Sequence, residues 1–107
     1  MEISLIIRTG PADGPRLSLA LNFIKEAIEQ GHTVRQCFFQ SEGVLSATQH
    51  GNLAAWQRVA DDSDAELLLC SQAAEEYRVS ASGPFRIAGL GALIEAAVRS
   101  DRVITFV

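Results

Sequence analysis

Four short apolar runs, each separated from the next by a stretch with helical spacing, constrain this chain more than any other feature. Ile3–Ile7, Thr33–Phe39, Glu66–Cys70 and Asp101–Val107 have the length and near-continuous apolar character of strands buried on both faces. Between the first two, Leu17, Leu21, Ile24 and Ile28 recur on one face of a helix, with Ala20 and Ala27 beside them. Pro15 suits the start of that helix and Gly31 its end. After the second strand come a loop, Gln40–Gly43, and a short helical piece from Val44 to Gln49. Leu53–Ala60 predicts a further helix, ending in the polar turn Asp61–Asp64. Ser71–Arg78 predicts a short helix, and Leu90, Leu93, Ile94, Ala97 and Val98 form the stripe of the last one. Between these, Val79–Gly83 reads as a linker, and Phe85-Arg86-Ile87 is compatible with loop or a short extended piece. Alternation of this kind predicts an α/β fold: a three-layer sandwich with a mainly parallel sheet and helices on both faces.

The 107 residues suit one domain spanning 1–107. With 48% apolar and 21% charged residues the composition is that of a globular protein, small enough that partner subunits would add useful burial. A net charge of −4, with nine scattered basic residues, argues against direct nucleic-acid binding, which needs clustered Lys and Arg. No apolar run is long enough to span a membrane. Met1–Ile7 lacks a basic leader and a cleavage site, and reads as a first strand rather than a signal peptide. Two cysteines make no disulfide framework and fit a reducing cytosol. With only two histidines as well, no zinc-ligand spacing occurs, and no metal or cofactor is expected.

Cys70 is the residue through which the predicted fold points to chemistry. It closes the third strand and is followed at once by the helix-forming Ser71–Glu76. Free backbone N–H groups and the positive end of a helix dipole favour negative charge there, and the thiolate is the form that attacks. In open parallel sheets, reacting groups collect outside the carboxyl ends of the strands. Three loops leave the predicted sheet at that edge: Thr9-Gly10-Pro11, Gln40-Ser41-Glu42-Gly43 and Cys70-Ser71. Glycine-bearing loops allow close backbone approach and present N–H groups to a small anionic sulfur species. Gly10, Glu42, Gly43 and Ser71 are therefore the candidate substrate-binding residues beside Cys70. Glu42 has a second reading as a cap of the helical start at Ser41.

The structural alternatives stand beside these. A cysteine at a strand end is also a common packing residue. Cys37, inside the second strand and next to aromatics, reads as packing. Glu75 and Glu76 oppose ionisation of a nearby thiol if they point at it, and have no such effect if they face solvent. Gly10–Gly14 lacks the lysine of a P-loop, and Gly89-Leu90-Gly91 lacks the third glycine of a dinucleotide fingerprint. His50 reads as a surface histidine and Trp56 as a core or interface residue.

Four segments carry a family resemblance. They are TGPADG from Thr9 to Gly14, FFQSEGVLSATQ from Phe38 to Gln49, LLLC from Leu67 to Cys70, and AGLGALIEAAVRSDRVITF from Ala88 to Phe106. In this order they cover nearly the whole chain, which resembles the DsrE/TusD family of sulfur-relay proteins, and its TusD branch in particular. The resemblance implies a DsrE-like fold and a cytoplasmic protein. It implies a sulfurtransferase that takes up a sulfane sulfur as a persulfide on Cys70, with no cofactor, and relays it for 2-thiolation of the tRNA wobble uridine. It also implies TusB-like and TusC-like subunits in a hetero-hexamer, an upstream persulfide donor and a TusE-like acceptor, without contact to nucleic acid or membrane. The alternatives are a DsrE-type carrier in dissimilatory sulfur oxidation, a non-catalytic scaffold subunit, and a small-molecule binding module. Two features depart from the family pattern. The segment between Gln49 and Trp56 is short, and Glu75-Glu76 stand where more neutral or basic character is usual.

Overall fold

The computed structural model describes residues 1–107 as five strands and four α-helices with one 3-10 helix. In chain order they are β1 (Glu2–Ile7), α1 (Gly14–Glu29), β2 (Thr33–Phe39), the 3-10 helix (Ser41–Ala47), α2 (Leu53–Asp62) and β3 (Glu66–Cys70). There follow α3 (Ser71–Glu76), β4 (Phe85–Ala88), α4 (Leu90–Arg99) and β5 (Arg102–Phe106). The sheet order is β4-β3-β2-β1-β5, and every neighbouring pair is parallel.

That order follows from connection handedness. Three crossovers step in one direction from β1 to β4, and the last one, through α4, returns across the sheet to β5. Because such crossovers are right-handed, the return puts α4 on the opposite face from α1 and α2. Contacts agree. Helices α1 and α2 touch one another, and Trp56 of α2 meets Phe39 edge-on at 4.9 Å. On the other face α4 covers β1 and β2. There Gln36 Nε2 donates to the Ala92 carbonyl at 3.4 Å, and Ser4 and Ser100 share a hydroxyl hydrogen bond of 2.7 Å.

Alternation along each strand assigns the side chains to faces. Leu5, Ile7, Cys37, Phe39, Leu67 and Leu69 form the core under α1 and α2, and all are buried. Ser4, Ile6, Gln36, Phe38, Leu68 and Cys70 lie on the face of α4. The helix ends obey local chemistry. The Asp13 carboxylate accepts from the Arg16 backbone N–H at 3.2 Å, Pro15 lies in the first turn of α1, and Gly31 takes the left-handed φ of +87° past its end. Asn52 caps α2 by accepting from the Ala55 N–H.

Three details go beyond the sequence expectation. Phe85-Arg86-Ile87, compatible with loop or a short extended piece, belongs to a fifth strand, Phe85–Ala88, at the edge of the sheet, held by pairing with β3. The loop before Val44 is already helical from Ser41, as a 3-10 helix. The third difference concerns α4. Leu90, Ile94 and Val98 of its stripe are 54%, 64% and 80% exposed, whereas Ala96 is buried and Ala92 and Leu93 are partly so. The helix has two apolar sides, and the small one faces the sheet because α4 crosses closely over β1 and β2.

Candidate active site

The carboxyl edge of the sheet carries a row of three residues. Ile6 pairs with Phe38, and Phe38 pairs with Leu68, so these three lie side by side on β1, β2 and β3. Two positions further along each strand stand Arg8, Gln40 and Cys70. They follow on the same face, just where the strands end. The ladder persists to this point: the Arg8 N–H donates to Phe106 O at 2.8 Å, and the Gln40 N–H to Ile7 O at 3.0 Å.

All three line one open cleft of about 670 Å³, together with Ser41, with Gln72, Ala73, Glu75 and Glu76 of α3, and with Leu90 at the start of α4. A smaller recess of about 350 Å³ adjoins Cys70, bounded by Ser71, Gln72, Glu75 and Leu90. Cys70 is 8% exposed and its remaining surface opens on this cleft. It is the N-cap of the six-residue α3, and its side chain makes no capping hydrogen bond. The thiol is thus uncommitted and next to the first-turn N–H groups of a short helix.

The two cysteines have opposite surroundings. Cys37 is fully buried, and desolvation pushes its thiol up to about 12. It is a core residue, as its place within β2 predicts. Cys70, by contrast, lines the cleft and the recess beside it.

The structure separates the predicted binding residues into two groups. Ser71 borders the recess at Cys70. Gly10, Glu42 and Gly43 belong to the loops beside the cleft but do not line it; the wall there is made by Arg8, Gln40 and Ser41. The glycines instead allow two loops to cross. A Cβ on Gly10 would lie 2.7 Å from the Glu42 carbonyl oxygen, and one on Gly43 would lie 2.0 Å from the Ile7 carbonyl oxygen. Glu42 points to solvent, in the first turn of the 3-10 helix, and supplies no cap, since Gln40 is the N-cap. Ser41 holds a φ of +52°, an unusual value for a residue with a side chain, at the cleft wall.

Glu75 and Glu76 are exposed to solvent, and both line the Cys70 cleft. Arg8 is the residue that sequence reading missed. It follows an apolar strand directly, and only the register of β1 with β2 and β3 brings it into line with Cys70. No three His, Cys, Asp or Glu side chains approach closely enough to hold a metal ion. A second groove of about 600 Å³, between α1 and α2, contains no cysteine or histidine. No helix is long and apolar enough to cross a membrane.

An all-parallel sheet with α4 alone on one face and a thiol at its carboxyl edge defines the class. The chain belongs to the DsrE/DsrF-like family, whose pattern it matches over residues 1–106. It is 36% identical to the sulfurtransferase TusD of Cronobacter sakazakii, over 99% of this chain and 100% of that one. It is 30% identical to a DsrE of Allochromatium vinosum, also named as a sulfurtransferase, over 99% and 98% of the two chains. Both comparisons run over more positions, 129 and 128, than the 107 residues present here, so these relatives carry internal segments that this chain lacks. The YchN protein of E. coli has the same fold, with a TM-score of 0.78 at 17% identity and 99% coverage of both chains.

Proposed function

We propose that this protein is a sulfurtransferase that receives a sulfane sulfur as a persulfide on Cys70 and passes it to an acceptor protein. The observation that carries this reading is the uncommitted Cys70 thiol on the wall of an open cleft at the carboxyl edge of the sheet. The names of its relatives as sulfurtransferases support it. In the reaction, the Cys70 thiolate attacks the outer sulfur of a donor persulfide and the donor thiolate leaves. An acceptor thiolate then attacks the outer sulfur of the Cys70 persulfide. Both steps are thiol exchange, governed by thiolate fraction, leaving-group acidity and access.

By its likeness to TusD, we assign the sulfur to 2-thiolation of the tRNA wobble uridine. The protein works in the cytoplasm with TusB-like and TusC-like subunits in a hetero-hexamer, a persulfide donor upstream and a TusE-like acceptor downstream. It does not touch the tRNA itself, which suits its net charge of −4. The likeness to DsrE supports a second reading of the destination, a carrier in dissimilatory sulfur oxidation. Incubation with a persulfide donor followed by intact mass spectrometry tests the core of the proposal. The wild type should gain the mass of one sulfur atom, mapped to Cys70, and Cys70→Ser should gain none. Sulfur uptake by the serine variant would instead favour a scaffold role. Loss of wobble-uridine thiolation on deletion of the gene separates the two destinations.

A further inference from the structure

We infer that Arg8 is the residue that holds the negative charge of sulfur transfer, a proposal that rests on the sulfurtransferase reading of Cys70. Strand register places Arg8 and Cys70 two strands apart in one row. At the usual strand spacing their backbones are about 10 Å apart, within reach of an extended arginine side chain. Both line the same cleft. Arg8 is the one cation there, and it stands at β1, where the chain's path across the sheet reverses and crevices form in parallel α/β folds.

The path of the charge gives this cation a role. When the Cys70 thiolate attacks R–S–SH, a new S–S bond forms and the old one breaks. R–S⁻ leaves with the bonding pair, and the proton stays on the transferred sulfur. One negative charge therefore moves across the cleft, past two exposed carboxylates, Glu75 and Glu76, that line it. Those carboxylates repel the attacking thiolate, the travelling charge and the departing thiolate alike. Arg8 forms no salt bridge with either of them. Its backbone is fixed by the hydrogen bond to Phe106 O, while its side chain is exposed and uncommitted. A guanidinium offers several donors in one plane and stays charged throughout, so it can follow a charge that spreads over two sulfurs.

The test compares two alkylating probes of equal chemistry and different charge, iodoacetate and iodoacetamide, on Cys70 of the wild type, Arg8→Gln and Arg8→Lys. The ratio of the two rates cancels any change in thiolate fraction or in exposure of the sulfur. Arg8→Gln should lower the iodoacetate-to-iodoacetamide ratio about fivefold to tenfold, and Arg8→Lys should keep most of it. Glu75→Gln combined with Glu76→Gln should raise it. Loading by glutathione persulfide should follow the same order. An Arg8→Gln ratio equal to the wild type, or an equal fall in both rates, overturns the inference and leaves sulfur transfer at Cys70 standing. A wild type that gains no sulfur overturns the sulfurtransferase reading, and with it the role assigned to Arg8 in that reaction.

Discussion

Gly43 lies so close to Ile7 that a Cβ at position 43 would fall 2.0 Å from the Ile7 carbonyl oxygen. That oxygen also accepts the Gln40 N–H, the bond that continues the β1–β2 ladder to the cleft. The obstacle is backbone on both sides, so no side-chain rotation relieves it. Gly43→Ala should cost about 1–3 kcal/mol, or roughly 10 °C in Tm, and should loosen the cleft wall at Gln40 and Ser41. At Gly91, in the first turn of α4, a Cβ meets nothing within 4 Å. Gly91→Ala should leave stability unchanged or raise it by about 0.5 kcal/mol. Thermal unfolding of the two variants checks the contrast.

The cysteines should react in strict sequence. A maleimide or iodoacetamide at neutral pH should label Cys70 in the native protein and reach Cys37 only after denaturant is added, because Cys37 is fully buried. Peptide mapping after a short pulse reads this directly. Labelling of Cys37 at native conditions, at a rate faster than global unfolding, would contradict the core placement.

Cys37 also gives a pH dependence with a definite sign. Its thiol is held at about 12 in the fold against an ordinary value of 9.0, by desolvation. The unfolded chain therefore loses this proton first as pH rises. The contribution to stability is complete below pH 9.0 and declines progressively between 9.0 and about 12. Urea midpoints measured at pH 8 and pH 10.5 should fall more for the wild type than for Cys37→Ala, whose buried thiol is gone. An identical fall in both proteins would show that other groups cause it.

Burial divides the apolar residues of the last helix from those of the sheet. Ile94 is 64% exposed, so Ile94→Gln should change the stability of the isolated chain by no more than about 0.5 kcal/mol. Leu69, fully buried in β3 under α1 and α2, should cost about 2–5 kcal/mol when cut to alanine. Urea denaturation of the two variants measures both.

Besides its ladder with β3, one aromatic contact anchors the edge strand. Phe85 is 3% exposed, and its ring packs edge-on against Phe39 at 5.5 Å. Phe85→Ala should cost about 3 kcal/mol, and hydrogen exchange should quicken first at the amides of β4 and its partner residues in β3.

How far the chain could be read from its residues depends on the range of the interactions involved. Local signals were sufficient for the four main strands, whose apolar runs end at Gly, Pro and polar clusters, and for α1, with Pro15 and Gly31 at its ends. They were sufficient to single out Cys70, because a strand passing straight into a helix is visible as a change of pattern at one residue. They left Phe85-Arg86-Ile87 open between loop and a short extended piece, and the ladder with β3 decided for strand. At the loops beside the cleft, Gly10 and Gly43 read as anion-binding positions, and the tertiary structure adds that each lets two backbones cross.

The amino-acid sequence by itself thus determined the alternating α/β plan, the burial of Cys37 and the place of Cys70 at the end of a strand. All of these follow from the apolar period and from neighbours in the chain. Only the tertiary structure decided that α4 turns Leu90, Ile94 and Val98 outward, that Glu75 and Glu76 line the cleft of the thiol, and that Arg8 stands in its row. Each of those depends on pairing between strands or on the packing of a helix across the sheet. Residues 62 positions apart, such as Arg8 and Cys70, become neighbours through the parallel register and through nothing written near either of them.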